Sequence, residues 1–220
     1  MARQYGRRMA TENVIGIDVP NVSAWLGDRI DADGALDFDL VPHGRSNLTY
    51  IVTDTAGSRW VLRRPPLGHV LASAHDMSRE HRIIAALQDC DVPVPGIVGL
   101  CQDESVNGAP FYVMEFVDGH IIKTLEDAEP FSPEQRRRQS ESLVDVLASL
   151  HRIDPDEVGL GELGKKEDYV ARQLRRWKRQ VDEGSDRTLP LFGELHAKLE
   201  TAMPDQQGAG IVHGDYRLDN

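Results

Sequence analysis

The residue types best suited to chemistry lie in the segment 213–220, directly after a short apolar run. In this segment Asp215 comes two positions after His213, and Asn220 comes five positions after Asp215. Phosphoryl transfer needs a carboxylate that orients a hydroxyl group and accepts its proton, and an amide oxygen that binds a metal ion. The order of residues therefore suits phosphoryl transfer, with Asp215 as the candidate carboxylate and Asn220 as the candidate metal ligand.

A second interpretation makes His213 and Asp215 the metal ligands of a dinuclear phosphoesterase. That site needs several further histidine and aspartate ligands at matched spacings, and none is recognisable upstream. Other histidines are scattered along the chain, among them His69, His75, His81, His120, His151 and His196. The phosphoesterase is therefore the weaker alternative.

A carboxylate on an apolar helix face is the second chemical signal. Met77, Glu80, Ile84 and Leu87 follow the spacing of one helical face, which places Glu80 along an apolar stripe. A buried carboxylate without a partner is costly, so a cation is expected to meet it. The nearest upstream candidate is Arg63, at the end of an apolar strand segment.

The alternative for Glu80 is that it is partly exposed and pairs with Arg79. Kinases use a strand cation to hold the phosphates of ATP and a helix glutamate to position that cation. Along this chain the strand cation comes first, the helix glutamate second and the candidate catalytic segment last. This order favours the same use here. An arginine binds phosphate bidentately, so Arg63 at this position is compatible with nucleotide binding, although its geometry differs from that of a lysine.

The elements that must position these residues form a sheet followed by helices. Alternating strand-prone segments predict strands at Asp37–Pro42, Leu48–Thr53, from Trp60 to Arg63, and at Phe111–Val117. Apolar periodicity and capping residues predict helices at Val22–Ile30, Ser73–Gln88, from Pro133 to about His151, at about 168–183 and at about 191–203. Ser132 and Gln135 form a predicted capping box at the start of the helix from Pro133. We predict an α+β fold with two lobes, in which residues 13–118 form the first lobe and residues 119–220 a partial helical lobe.

Composition limits the remaining function classes. The chain has 220 residues, of which 40% are hydrophobic and 28% are charged, as in an ordinary globular protein. Its net charge of −11 argues against binding nucleic acid through a general positive field. We expect no membrane span, a disordered segment at residues 1–12 and a cytoplasmic location. The sequence leaves the oligomeric state open.

The segment 213–220 resembles the catalytic loop of eukaryotic-type kinases, in the form typical of the aminoglycoside phosphotransferase and choline kinase family. The resemblance implies a protein-kinase-like fold, with His213 as a support of the loop and Asn220 as a Mg²⁺ ligand. The bend at 43–50 resembles the family's phosphate-covering turn, which implies phosphate contacts from Ser46 and Asn47. The resemblance also implies that backbone groups of Glu115 and Val117 bind adenine.

Several segments look like the branch of kinase-like domains associated with acyl-CoA dehydrogenases: Val61–Gly68, Arg79–Ile83 and Leu147–His151. The resemblance implies an ATP-dependent and Mg²⁺-dependent kinase that phosphorylates a hydroxyl of a small molecule, either an aminoglycoside or a hydroxyacyl compound. The alternative is a kinase-like module that binds nucleotide without catalysis. The family's second metal ligand, a later aspartate, has no counterpart up to Asn220, so we expect the 220-residue chain to transfer little phosphate.

Overall fold

The computed structural model describes residues 14–42, 47–68, 76–184 and 189–219. The chain divides into two compact units, Met1–Val146 with Arg217–Asn220, and Leu147–Tyr216. The disorder predicted for residues 1–12 falls outside the described residues, and the lobe boundary after residue 118 stays a prediction.

The first unit is built on an antiparallel sheet. In the described residues the sheet has five strands: β1 Asp37–Leu40, β2 Leu48–Thr53, β3 Arg59–Arg64, β4 Ile97–Cys101 and β5 Phe111–Glu115. Their spatial order is β1-β2-β3-β5-β4, and every neighbouring pair is antiparallel. The order places β3 and β5 side by side although β4 lies between them along the chain. The mixed α+β fold predicted from the sequence is confirmed.

The β2–β3 turn is fixed by one aspartate and one glycine. The Asp54 carboxylate accepts hydrogen bonds from the backbone nitrogens of Ser58 at 2.7 Å and Asp33 at 3.0 Å. These donors, that of Asp33 first, hold the pKa of Asp54 below its usual value. Gly57 has a φ of 92°, a conformation that favours glycine. The turn thereby sets the register of the strand that carries Arg63.

One face of the sheet packs on α1, Val19–Gly27. The Asp18 carboxylate caps this helix by accepting a hydrogen bond from the backbone nitrogen of Asn21 at 3.1 Å. The helix begins one turn before the predicted Val22 and ends before the predicted Ile30, because Asp18 supplies the cap.

The apolar core lies between α1 and this sheet face. Its buried members are Ile17, Val22, Leu26, Leu36, Phe38, Tyr50, Val52, Leu62, Cys101, Phe111 and Val113. The ring of Trp25 packs edge-on against Phe111, with centroids 5.0 Å apart. Complete burial of an aliphatic side chain such as Leu26 contributes roughly 1.5–3 kcal/mol.

The helix that carries Glu80 is α2, Met77–Leu87, which packs against β4 and β5. Its cap is Asp76, whose carboxylate accepts a hydrogen bond from the backbone nitrogen of Arg79 at 3.0 Å. The described helix therefore begins at Met77, since Asp76 satisfies the first donors, whereas the prediction placed the start at Ser73. Ser73 itself lies outside the described residues.

The described residues contain five further helices: α3 Glu104–Asn107, α4 Leu125–Ala128, α5 Pro133–Arg152, α6 Tyr169–Gly184 and α7 Pro190–Thr201. The last three are close to the predicted ranges. The predicted capping box of α5 is present, because Ser132 Oγ accepts from the Gln135 nitrogen at 3.2 Å and Gln135 Oε1 accepts from the Ser132 nitrogen at 2.8 Å. Among the helices described, none has the length and apolar character to cross a membrane.

Candidate active site

Three side chains of the first unit contact the carboxylate of Glu80. Arg63 Nη2 lies 3.4 Å from Glu80 Oε2, and Tyr112 Oη donates a hydrogen bond to the same oxygen at 3.0 Å. Asn47 Nδ2 donates to the other oxygen, Oε1, at 2.5 Å. The cation expected beside Glu80 is therefore Arg63, and two neutral donors complete the cluster.

Strand register explains why these groups meet. Arg63 on β3 stands opposite Thr49 on β2 and opposite Tyr112 on β5. Residues opposite each other on antiparallel strands project from the same face of a sheet. That face carries α2, so Glu80 in the first turn of α2 comes within reach of Arg63 and Tyr112.

Tyr112 is a functional candidate that sequence reasoning missed. Its side chain is fully buried, and burial is the main cause that raises its pKa well above the ordinary value for tyrosine. It therefore remains a neutral hydroxyl donor to Glu80 over the whole physiological range. The only signal in the sequence was a tyrosine in a strand of otherwise apolar residues, which is also usual for a core position.

The guanidinium of Arg63 keeps part of its donor capacity. Its side chain is 29% exposed. Its Nε is buried and has no hydrogen-bond partner among the residues that the structure describes. The ion pair with Glu80 uses the terminal nitrogen Nη2. An arginine held on one side in this way can still donate to a phosphate.

The adjacent Arg64 belongs to the opposite face. Its Nη1 donates to the carbonyl oxygens of Gly16 and Asn107, and its Nε donates to the carbonyl oxygen of Pro65 at 3.2 Å. Burial lowers the pKa of Arg64 from its ordinary value. Arg64 is thus a structural cation, and Arg63 is the arginine on the face that carries α2.

The end of β5 holds the two predicted adenine contacts, Glu115 and Val117. The backbone nitrogen of Glu115 donates to the carbonyl oxygen of Gly96 at 2.8 Å, and the Gly96 nitrogen donates to the Glu115 carboxylate at 3.3 Å. The Val117 side chain is 67% exposed. Arg59 pairs with Asp118 at 2.6 Å, which ties the chain after β5 back to β3. The adenine contacts themselves stay a prediction.

The predicted phosphate-covering bend is only partly described. Asn47 is 8% exposed and directs its amide to Glu80. Ser46 lies outside the described residues, so its predicted phosphate contact stays a prediction.

Residues 213–216 of the predicted catalytic segment belong to the second unit. The rings of His213 and Tyr216 meet edge-on with centroids 5.2 Å apart, and Gly214 between them has a φ of 86°. This glycine provides the turn at Asp215, whose side chain is exposed. Burial raises the pKa of Tyr216. Asn220, the predicted Mg²⁺ ligand, lies outside the described residues.

The described residues contain no group of three or more histidine, cysteine, aspartate or glutamate side chains that could hold a metal ion. Mg²⁺ usually takes only one or two protein oxygens and completes its shell with water and substrate phosphates. An amide oxygen such as that of Asn220 fits this donor set.

A five-stranded antiparallel sheet with a paired arginine and glutamate is the arrangement expected of a kinase-like phosphotransferase. The chain belongs to the phosphotransferase enzyme family, whose model matches residues 37–220.

Two relatives are similar to this chain over most of its length. Acyl-CoA dehydrogenase family member 10 of Mus musculus is 38% identical over 185 residues, which are 84% of this chain and 17% of the mouse protein. A solved structure from Ralstonia eutropha, named as an aminoglycoside phosphotransferase, is 32% identical with a TM-score of 0.78, over 92% of this chain and 59% of that one. The predicted resemblance to both groups is confirmed.

A third similarity concerns the fold alone. The APH(2")-IIa protein, solved in a ternary complex with streptomycin and ATP, is 16% identical with a TM-score of 0.53, over 87% of this chain and 57% of that one. In each of these three comparisons the chain spans less than two thirds of the relative's own length.

Proposed function

We propose that this chain is the nucleotide-binding and catalytic-loop part of an ATP-dependent kinase that phosphorylates a hydroxyl of a small molecule. The observation that carries the proposal is the ion pair of Arg63 with Glu80, at 3.4 Å, on the sheet face that carries α2. Phosphoryl transfer needs such a cation to hold nucleotide phosphates and such a glutamate to position it. Family membership supports the reaction class, and the ATP complex of a protein with this fold supports ATP as the donor.

Each remaining site residue has a proposed role of its own. Asp215 orients the acceptor hydroxyl and accepts its proton, and its exposure leaves the carboxylate accessible to a substrate. Asn220 would hold Mg²⁺, which supplies charge neutralisation to the phosphates when it is bound. Ser46 would contact the phosphates, and Asn47 would position Glu80 beside them. Backbone groups of Glu115 and Val117 would bind adenine.

The names of two relatives support two candidate acceptor classes. The mouse relative is named as an acyl-CoA dehydrogenase family member, whereas the Ralstonia eutropha protein is named for aminoglycosides. We favour a hydroxyacyl compound as the acceptor, because the similarity to the dehydrogenase relative covers 84% of this chain at 38% identity.

A second candidate function is a nucleotide-binding module without catalysis. The observation that favours it is the identity of Arg63, because a planar guanidinium does not place its charge as a lysine ammonium does.

Calorimetric titration with ATP, with and without Mg²⁺, tests the proposal together with phosphate transfer to a panel of hydroxyacyl compounds and aminoglycosides. We expect ATP binding, and we expect Asp215→Asn to retain this binding while it abolishes any transfer. ATP binding without transfer, in a version that includes the remainder of the kinase-like domain, would identify the non-catalytic module. Absence of ATP binding, or metal-dependent release of phosphate from esters without ATP, would overturn the proposal.

A further inference from the structure

The three donors around Glu80 are distributed unequally over its two carboxylate oxygens. Oε2 receives both the Tyr112 hydroxyl, at 3.0 Å, and Arg63 Nη2, at the longer distance of 3.4 Å. Oε1 receives the Asn47 amide at 2.5 Å. The two neutral donors therefore lie closer to the carboxylate than the cation does.

An arginine and a carboxylate that meet without competitors commonly form a bidentate pair, which uses two N–H groups of the guanidinium. A carboxylate has a limited number of acceptor positions. At Glu80 the neutral donors occupy positions that a bidentate contact would use. This arrangement keeps the Arg63 contact to a single nitrogen, Nη2, and leaves the other terminal nitrogen, Nη1, as a donor.

We propose that Tyr112 is a positioning residue, which holds Glu80 so that Arg63 keeps its donors for the phosphates of a nucleotide. This inference rests on the proposed function. Tyr112 acts through Glu80 and does not itself touch the nucleotide. The choice of residue type is physically reasonable, because a buried neutral hydroxyl holds the carboxylate without adding a second positive charge.

The matched control is Tyr50, the other fully buried tyrosine of the sheet. Its hydroxyl donates to the carbonyl oxygen of Ile15 at 2.6 Å, in the core between α1 and the sheet. Tyr50→Phe and Tyr112→Phe each remove one hydroxyl and one hydrogen bond from a buried ring. Only the second removes a donor from Glu80.

The test is the affinity for ATP and for adenosine, measured by calorimetry on the wild-type chain and both variants. Tyr112→Phe is expected to weaken ATP binding roughly 3- to 10-fold, in line with the loss of one hydrogen bond, and to leave adenosine binding unchanged. Tyr50→Phe is expected to leave the ratio of the two affinities unchanged. In a Glu80→Ala background, which leaves Tyr112 no acceptor at residue 80, the effect of Tyr112→Phe should disappear, because Tyr112 acts through Glu80.

The outcomes separate this inference from the proposed function. A wild-type chain that binds no ATP overturns the proposed function, and this inference with it. A wild-type chain that binds ATP, with an unchanged affinity ratio in a folded Tyr112→Phe variant, overturns the inference alone. If Tyr112→Phe does not fold, Asn47→Ala provides the test, because Asn47 holds the same carboxylate through its other oxygen, Oε1. An unchanged affinity ratio in that variant counts equally against the inference.

Discussion

Arg63 and Arg64 are neighbours in the chain, yet their guanidinium groups lie on opposite faces of one sheet. Arg63 Nη2 lies 3.4 Å from the Glu80 carboxylate, whereas Arg64 donates to the backbone carbonyl oxygens of Gly16 and Asn107. Strand alternation alone separates them. Two arginines with the same intrinsic chemistry therefore have different consequences when they are replaced.

Replacement of each arginine by glutamine should separate binding from stability. Arg64→Gln is expected to lower the free energy of unfolding by about 3 kcal/mol, because buried carbonyl oxygens lose charged donors. Arg63→Gln should change that free energy by less than about 1 kcal/mol, since the ion pair is partly exposed, and should weaken ATP binding by at least about tenfold. Urea denaturation and calorimetry measure the two effects. A larger stability loss in Arg63→Gln would contradict this assignment.

Alkaline pH should destabilise the first unit through its buried tyrosines. Burial raises the folded-state pKa of Tyr112 and of Tyr50 above the unfolded value of about 10. Their contribution to stability is therefore fully present below pH ~10 and is lost as the pH rises further, when only the unfolded chain releases these protons. Tyr112→Phe should flatten the decline of unfolding free energy above pH ~10, and the double variant with Tyr50→Phe should flatten it more. Equal slopes in wild type and the double variant would rule this out.

The capping box of α5 gives a stability test with an internal control. Ser132→Ala removes the hydroxyl that accepts from the Gln135 nitrogen at 3.2 Å, and should cost about 1 kcal/mol. Ser140→Ala on the same helix removes a hydroxyl that donates to the Arg136 carbonyl oxygen, and should be neutral or slightly stabilising because alanine has the higher helix propensity. Thermal unfolding monitored by circular dichroism compares the two variants. The reverse order of stabilities would contradict the cap.

Gly96 should tolerate a side chain less well than Gly119. A Cβ on Gly96 would lie 2.6 Å from Cδ of Glu115, so the carboxylate would have to move and give up its hydrogen bond from the Gly96 nitrogen. We expect Gly96→Ala to cost about 1 kcal/mol. A Cβ on Gly119 would meet no atom of the described residues within 4 Å, so Gly119→Ala should be neutral or slightly stabilising. Urea denaturation of both variants measures the difference, and equal effects would count against the Gly96 contact.

Local patterns were sufficient to predict the pair of Arg63 and Glu80. The helical spacing placed Glu80 on an apolar face, and the cost of a buried carboxylate required a cation. Strand alternation and the Ser132 capping box were equally local. Each of these signals lies within a few residues of chain, where periodicity and capping chemistry apply directly.

The remaining features depend on contacts between distant segments. Tyr112 joins the cluster only because β5 pairs with β3 in a register that sets it opposite Arg63, and no local pattern encodes that register. The short helices α3 and α4 have four residues each, too few to show an apolar periodicity. The contact of Arg63 with Glu80 is observed, whereas all the site roles stay predictions: those of Ser46, Asn47, Arg63, Glu80, Glu115, Val117, Asp215 and Asn220.

The backbone partners of Tyr50 and Arg64 bear on how the chain can be shortened. Both side chains donate to carbonyl oxygens of residues 15 and 16, whereas the family model begins at residue 37. A chain trimmed to residue 37 would keep every strand of the described sheet and lose α1, together with the acceptors of two buried donors. The segment that the family model covers is therefore smaller than the segment whose contacts hold the sheet.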